Sequence, residues 1–275
     1  MGHHAFSMTT RDVVTDATHD AQLRSFVESA NGHRQFPIQN LPIGIFTPPG
    51  GTPRGGVAIG DLILDLRAMA TTALLSGPAA SAATAACGAT LNDWLRLGPA
   101  HRHALRTQLS ALLRHDSPQR TMLQEPARKL LHPATDCTLH LPAAVGNFTD
   151  CMASLYHVDR AGRQFRPESP VYPNFRHVPV AYHSRASSVR PSGTPVTRPA
   201  GQLLRASGMP EFAPSEQLDF ESEVALWIAG ENAVGERVPI SAAESRIAGI
   251  GLLNDWSARD IQYWESLPLG PFLGK

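Results

Sequence analysis

The sequence predicts a mainly β, α+β protein organised as two domains. Three observations carry that prediction. Short apolar runs broken by Pro and Gly recur along the chain, as they do in strand-rich folds. Helical spacing is concentrated before residue 116. The texture then changes near Leu141, after which helical periodicity is scarce. The 275 residues suffice for two domains with a substantial core, and 42% hydrophobic against 17% charged residues is a globular composition.

Residues 1–20 are polar and read as loose chain, and residues 20–28 as a short, poorly capped helix. Residues 36–46 read as extended chain punctuated by prolines, and 48–56 as a turn rich in Pro and Gly. Residues 57–66 give two apolar runs around Gly60-Asp61, the signature of a hairpin. An Ala-rich, interrupted helix follows over 68–89, then a turn or two of helix over 90–97 with Thr90 as its cap. Leu105, Leu109, Leu112 and Leu113 keep helical spacing over 103–115. Arg102, Arg106 and Arg114 interleave with them, and a solvated helix face is favoured over a nucleic-acid patch. Beyond Leu141, strands are expected over 178–182, around Val196, over 224–228 and over 247–253, with one helix over 257–265.

Several function classes are excluded. Lys plus Arg equals Asp plus Glu at 24 each, so no net field draws the chain to nucleic acid or an anionic membrane. No apolar run approaches the roughly 18 residues of a membrane span, and the start lacks a basic-then-apolar leader. Cys87, Cys137 and Cys151 are odd in number and without CxxC spacing, which argues for reduced thiols and a cytoplasmic enzyme. His3-His4 is too short for a metal tract. Ser184, Ser187 and Ser188 show no nucleophile elbow, and residues 270–275 lack the spacing of a phosphate loop.

The chemistry centres on residues 220–275. Glu221 and Glu223 are two apart in a run that reads as a strand, so both carboxylates project to one side. With Asp255 nearby they suggest a nest for a hard cation, because Ca²⁺ and Mg²⁺ take oxygen ligands. Asp150 ends a short extended run, and His157 follows seven residues later. Tyr182 and Arg185 are candidate carboxylate binders. Arg259 and Gln262 share a helix face, either to clamp an oxyanion or with Arg259 paired to Asp260 or Glu265.

The segments Phe36-Pro-Ile-Gln-Asn-Leu-Pro, Tyr182-His-Ser-Arg-Ala-Ser-Ser, Ser192-Gly-Thr-Pro, Asn254-Asp-Trp-Ser-Ala-Arg-Asp-Ile-Gln and Pro268-Leu-Gly-Pro-Phe-Leu-Gly-Lys closely resemble the fumarylacetoacetase family. The resemblance runs from about residue 25 to the end. It implies an SH3-like barrel domain with flanking helices over 1–140 and a β-rich catalytic domain over 141–275. It implies hydrolysis of 4-fumarylacetoacetate to fumarate and acetoacetate, the last step of tyrosine and phenylalanine catabolism, by a homodimer using Ca²⁺ or Mg²⁺. It assigns Asp150, Glu221, Glu223 and Asp255 as metal ligands and His157 as general base. Arg259, Gln262 and Lys275 become the groups that stabilise negative charge, and Arg166 and Tyr182 bind substrate. Met152 and Ser266 occupy substrate-contacting positions where the family has tyrosines. The family continues beyond Lys275 through further strands and a glutamate that orients the base. The 275 residues are therefore expected to be the amino-terminal two-thirds of the enzyme, inactive and poorly soluble alone. Two alternatives stand beside this reading: a related dicarbonyl-acid hydrolase or decarboxylase resembling acylpyruvases, and a non-catalytic binding or dimerisation module.

Overall fold

The computed structural model describes residues 15–178 and 180–275. Residues 1–14 of the expected loose segment, with the His3-His4 pair, lie outside the described residues, and the rest of it holds a capped 3₁₀ turn, Ala17–His19. The chain divides into two compact units. One takes in residues up to Ala144 together with Ile228–Ala248, and the other comprises Val145–Trp227 and Gly249–Lys275.

The first unit is built on five strands, β1 (Ile43–Thr47), β2 (Arg54–Ile59), β3 (Leu62–Asp65), β4 (Leu131–Pro133) and β5 (Thr138–His140). They form one antiparallel sheet in the order β4-β3-β2-β1-β5. No pairing joins β4 to β5 among the described residues, so the sheet is half of a barrel rather than a closed ring. The predicted hairpin is present, with Ile59 opposite Leu62 across Gly60-Asp61. Gly60 has φ of 55°, and a Cβ there would come within 2.6 Å of the Ala30 nitrogen, so the turn needs glycine. The turn expected over 48–56 is shorter than that, because Arg54–Gly56 already pair in β2.

Four helices share the sheet's core: α1 (Leu66–Ala70), α2 (Gly77–Ala85), α3 (Asn92–Arg96) and α4 (Pro99–Leu113). Helices α2 and α4 pack together, and Ala79, Ala82, Ala83 and Ala86 are fully buried, their small side chains allowing close approach. The four leucines that predicted α4 are all buried in one continuous core with Phe26, Ile45, Ile59, Leu64 and Met69. A short α5 (Arg120–Leu123) leads to β4. Thr90 does not cap α3; its N-cap is Leu91, with no side-chain bond.

Two expectations fail here. Residues 20–28 are not an α-helix, and only the 3₁₀ turns Ala17–His19 and Glu28–Ala30 form. Phe26 and Val27 are buried side by side, and Ser25 bridges to Arg114, a pattern no single helix face satisfies. Nor do Arg102 and Arg106 lie on a solvated face, though Arg114 is exposed. Arg102 donates to the carbonyls of Leu97 and Ser245, and Arg106 to those of Gln39 and Asn40 and to Thr18, while Arg114 pairs with Asp116. Arg102 and Arg106 thus spend their charge mainly on chain carbonyls, and Arg114 on a neighbouring carboxylate.

The second unit is made of two-stranded pairs. Strand β6 (Phe148–Cys151) is followed by α6 (Leu155–Phe165) and pairs with β7 (Ala181–Ser184); β8 (Ala200–Leu204) pairs with β9 (Pro210–Pro214). Strands β10 (Leu218–Asp219) and β11 (Ser222–Ile228) come next, then α7 (Ile240–Ala243), in the segment belonging to the first unit. Strand β12 (Ile247–Asn254) pairs with β11, and β13 (Ser257–Ala258) with β10. Helix α8 (Arg259–Glu265) follows, its Ile261 closing a small apolar cluster with Leu203 and Ala258. The helix is shorter than predicted, because Ser257 and Ala258 pair with Asp219 and Leu218 instead. Val196 lies in no strand.

Candidate metal centre

The run 220–228 is not one strand. It breaks at Glu221, whose backbone carbonyl accepts from the Asp255 N–H at 3.0 Å between β10 and β11. Alternation still holds, with Glu221 and Glu223 part-buried while Phe220, Ser222 and Val224 are exposed. Beyond burial, Glu221 also helps to raise the Glu223 carboxyl's pKa, as a neighbouring acid on the same side should.

Carboxylate oxygens of Asp150, Glu223 and Asp255 all lie within 4.8 Å of one another. Asp150 comes from β6, Glu223 from β11 and Asp255 from the corner between β12 and β13. Burial, then the charges of Asp150 and Asp255, push the Glu223 carboxyl up to about 7. Burial likewise raises Asp255, against the opposing pull of Lys275. Lys275 Nζ lies 3.0 Å from Asp255 Oδ2, close enough for an ion pair but without an aligned hydrogen bond, so that buried oxygen keeps an unsatisfied lone pair. A crowded set of hard oxygens, one of them buried without an aligned hydrogen bond, fits a divalent cation.

Glu221 stands outside the trio, held by two cations. Arg259 Nη1 reaches its Oε1 at 2.6 Å, and Lys275 Nζ donates to its Oε2. Burial works against Glu221's charge, but the Lys275 and Arg259 bonds outweigh it and hold its carboxyl below the usual range. Lys275 has a side chain only 2% exposed and also donates to Ser257 Oγ at 3.1 Å. Burial opposes its charge, yet the bond to Glu221 and the ion pair with Asp255 win and raise its ammonium pKa. Arg259 also grips Asp219 at 3.1 Å and lies 3.4 Å from Gln262 Oε1, a weak contact. Neither Asp260 nor Glu265 is its partner: Asp260 accepts from Ser215 and the Glu216 and Gln217 amides.

Tyr182 faces Asp150 across the β6–β7 register, and its hydroxyl donates to Asp150 Oδ2. Burial and then that bond push the phenol's pKa upward. His157 is exposed on α6, where its amide is capped by Ser154 Oγ at 3.3 Å, and its ring is not among the clustered ligand atoms. Arg166 turns onto its own loop, donating to the Pro170 carbonyl and stacking 4.1 Å over the Tyr172 ring. Arg185 binds the Lys275 carbonyl at 3.0 Å. Met152 is exposed, and the Ser266 hydroxyl donates to the Gln262 carbonyl. Ser257 and Asp219, which sequence reasoning passed over, hold Lys275 and Arg259; their only sequence signal is adjacency to Asp255 and Glu221.

Three acids clustered on strand ends, with an arginine and a buried lysine beside them, define a candidate divalent-cation centre on a β scaffold. Comparison then supplies the family. A family model described as fumarylacetoacetase N-terminal matches residues 39–142, and one described as fumarylacetoacetate hydrolase C-terminal matches residues 147–275. The chain belongs to the fumarylacetoacetase family. It is 46% identical over 260 residues to a fumarylacetoacetase of Oryza sativa subsp. japonica, covering 92% of this chain and 60% of that protein. Over 244 residues it is 45% identical to the Rattus norvegicus enzyme and 43% to the Homo sapiens one, each covering 87% of this chain and 58% of the relative. The chain thus spans about three-fifths of the length of the curated relatives it matches.

Proposed function

We propose that this chain carries the cation site and much of the catalytic surface of an enzyme that hydrolyses 4-fumarylacetoacetate to fumarate and acetoacetate, in tyrosine and phenylalanine breakdown. The observation that carries the reading is the gathering of Asp150, Glu223 and Asp255 within 4.8 Å beside Lys275, in a chain matched by both family models. Those three carboxylates, with Glu221 as fourth, would hold Ca²⁺ or Mg²⁺. The ion, when bound, supplies positive charge against the developing enolate of the leaving acetoacetate. His157 accepts the proton of the attacking water. Lys275, Arg259 and Gln262 stabilise negative charge as the carbon–carbon bond breaks. Arg166 and Tyr182 orient the substrate, and Met152 and Ser266 contact it.

We assign the domains as 1–140 and 141–275, the second catalytic. The acting form is a cytoplasmic homodimer: free Cys87, Cys137 and Cys151 suit a reducing compartment, and exposed Val224, Leu226, Ile250 and Leu252 suit burial by further protein. No helix of the described residues is long and apolar enough to cross a membrane. The exposed Met152 and the inward-turned Ser266 hydroxyl favour a second reading, cleavage of a related dicarbonyl acid such as an acylpyruvate.

The test follows loss of diketone absorbance with fumarylacetoacetate and an acylpyruvate, with Ca²⁺, Mg²⁺ or chelator. These 275 residues and the reading frame encoding them are assayed side by side. Cation-dependent turnover of fumarylacetoacetate supports the proposal; turnover of the acylpyruvate alone selects the second reading. A folded protein that turns over neither substrate sinks both.

A further inference from the structure

Lys275 reaches the carboxylates from a stretch, residues 266–275, that contains no regular element. A flexible loop would not keep a side chain 2% exposed between Glu221 and Asp255 unless its backbone were pinned nearby. The pins are on the page. The Glu265 carboxylate, at the last residue of α8, accepts the Phe272 N–H at 2.9 Å and the Gly274 N–H at 2.5 Å with the same oxygen. The Gly274 carbonyl accepts the Ala258 N–H at 2.7 Å. Gly274 lies flat on α8, since a Cβ there would come 2.7 Å from the Gln262 nitrogen. No cation pairs with Glu265 in the ion pairs of the described residues, so its carboxylate is spent on two loop amides one and three residues before Lys275.

We propose that Glu265 is a positioning residue, whose carboxylate folds residues 266–275 back onto α8 and thereby delivers the Lys275 ammonium to the Glu221–Asp255 pair. Charge-assisted bonds to amides are about twice as strong as neutral ones, and two on one oxygen hold the loop at the point that sets the lysine's reach. The inference rests on the proposed role of Lys275 in stabilising charge, but the positioning itself is measurable without turnover.

The measurement compares the two lysines of these 275 residues, Lys129 and Lys275. Lys129 is exposed and serves as internal standard. The protein of the reading frame encoding the chain is acetylated with limiting amine reagent, and the Lys275 to Lys129 labelling ratio is read from the two peptides by mass spectrometry. In the wild type Lys275 should label at least about tenfold more slowly than Lys129, as a closed local structure requires. Glu265→Ala should raise the ratio about tenfold, and Glu265→Asp, one methylene too short to reach both amides, should do the same. Glu265→Gln keeps an acceptor oxygen and should stay within about twofold of wild type, a rescue that general destabilisation would not give. If Glu265→Ala loses its fold by circular dichroism, the Asp and Gln variants decide between them. A ratio unchanged in folded Ala and Asp variants overturns the proposal, as does a wild-type ratio near one.

In the reading frame encoding the chain, Glu265→Ala should lower kcat about tenfold or more with KM within about threefold, because an interaction made in the transition state is lost. Absence of wild-type turnover would count against the proposed function, while the labelling ratios would still decide the role of Glu265.

Discussion

In the unit that runs to Ala144, apolar side chains from a five-stranded sheet and four helices meet in one continuous core, from Phe26 to Leu130. In the unit that begins at Val145, the buried apolar cluster is Leu203, Ala258 and Ile261, and much of the part-buried interior is charged. The apolar face of β11 and β12 points outward there, with Leu252 92% exposed and Val224 65%. Hydrophobic burial holds the first unit, whereas paired two-stranded ribbons and ion pairs organise the second. The difference is what the proposed cation site would require: like charges forced together raise the free energy of the fold, a cost that a bound divalent ion would recover.

The comparison breaks most easily at Asp65. It is 1% exposed, caps α1 and pairs with Arg54 at 3.2 Å. Asp65→Ala should destabilise the first unit by about 3–5 kcal/mol, since Arg54 would keep a part-buried charge without its partner. Urea denaturation checks this, and a loss under about 1 kcal/mol would show that the pair is dispensable. Next comes a matched pair of leucine truncations. Leu113→Ala, in the first core, should cost about 2–5 kcal/mol, while Leu252→Ala should stay within about 0.5 kcal/mol. Equal losses in denaturation midpoint would mean that the outward face of β12 is covered in solution.

Glu223→Gln should act oppositely on fold and function. Removing one charge of the trio should stabilise the cation-free chain by about 1 kcal/mol, allowing for solvent screening, yet weaken Ca²⁺ binding about tenfold or more. Calorimetric titration and thermal melting report the two effects; a variant that loses both stability and affinity contradicts the repulsion argument.

The smallest effect is in pH. The Glu223 carboxyl, normally near 4.5, titrates at about 7 in the fold. A raised pKa means stability present below the unfolded value and lost as pH rises through the folded one. Without cation, the melting temperature should therefore drift down between about pH 5 and 7.5 by a few degrees. Cation affinity should rise over the same interval, because the proton must leave before the oxygen can ligate. Parallel melts with Ca²⁺ and with chelator should diverge as pH increases, and parallel curves would count against Glu223 as a ligand.

Much of this was legible in the chain itself. The hairpin at Gly60-Asp61 and helix α4 follow from local pattern, because glycine's positive φ and four leucines at helical spacing admit few alternatives. The resemblance of five segments identified the family, and Glu221 and Glu223 marked where acids would crowd. The missing helix over 20–28 was not legible, since Phe26 and Val27 answer to partners as distant as Leu113. Nor was the outward turn of Val224 and Leu226, because alternation says that two faces differ and not which one faces the interior.

By itself, then, the sequence determined the elements whose signals are local and the residue types that a hard cation needs. Tertiary structure alone decided which acids converge, bringing Asp150, Glu223 and Asp255 together across 105 positions while leaving Glu221 to Arg259 and Lys275. It also decided that Glu265 would bind loop amides rather than Arg259. The reason is physical: a carboxylate's partner is set by whatever donor the fold brings within about 3 Å, and separation along the chain carries almost no information about that distance.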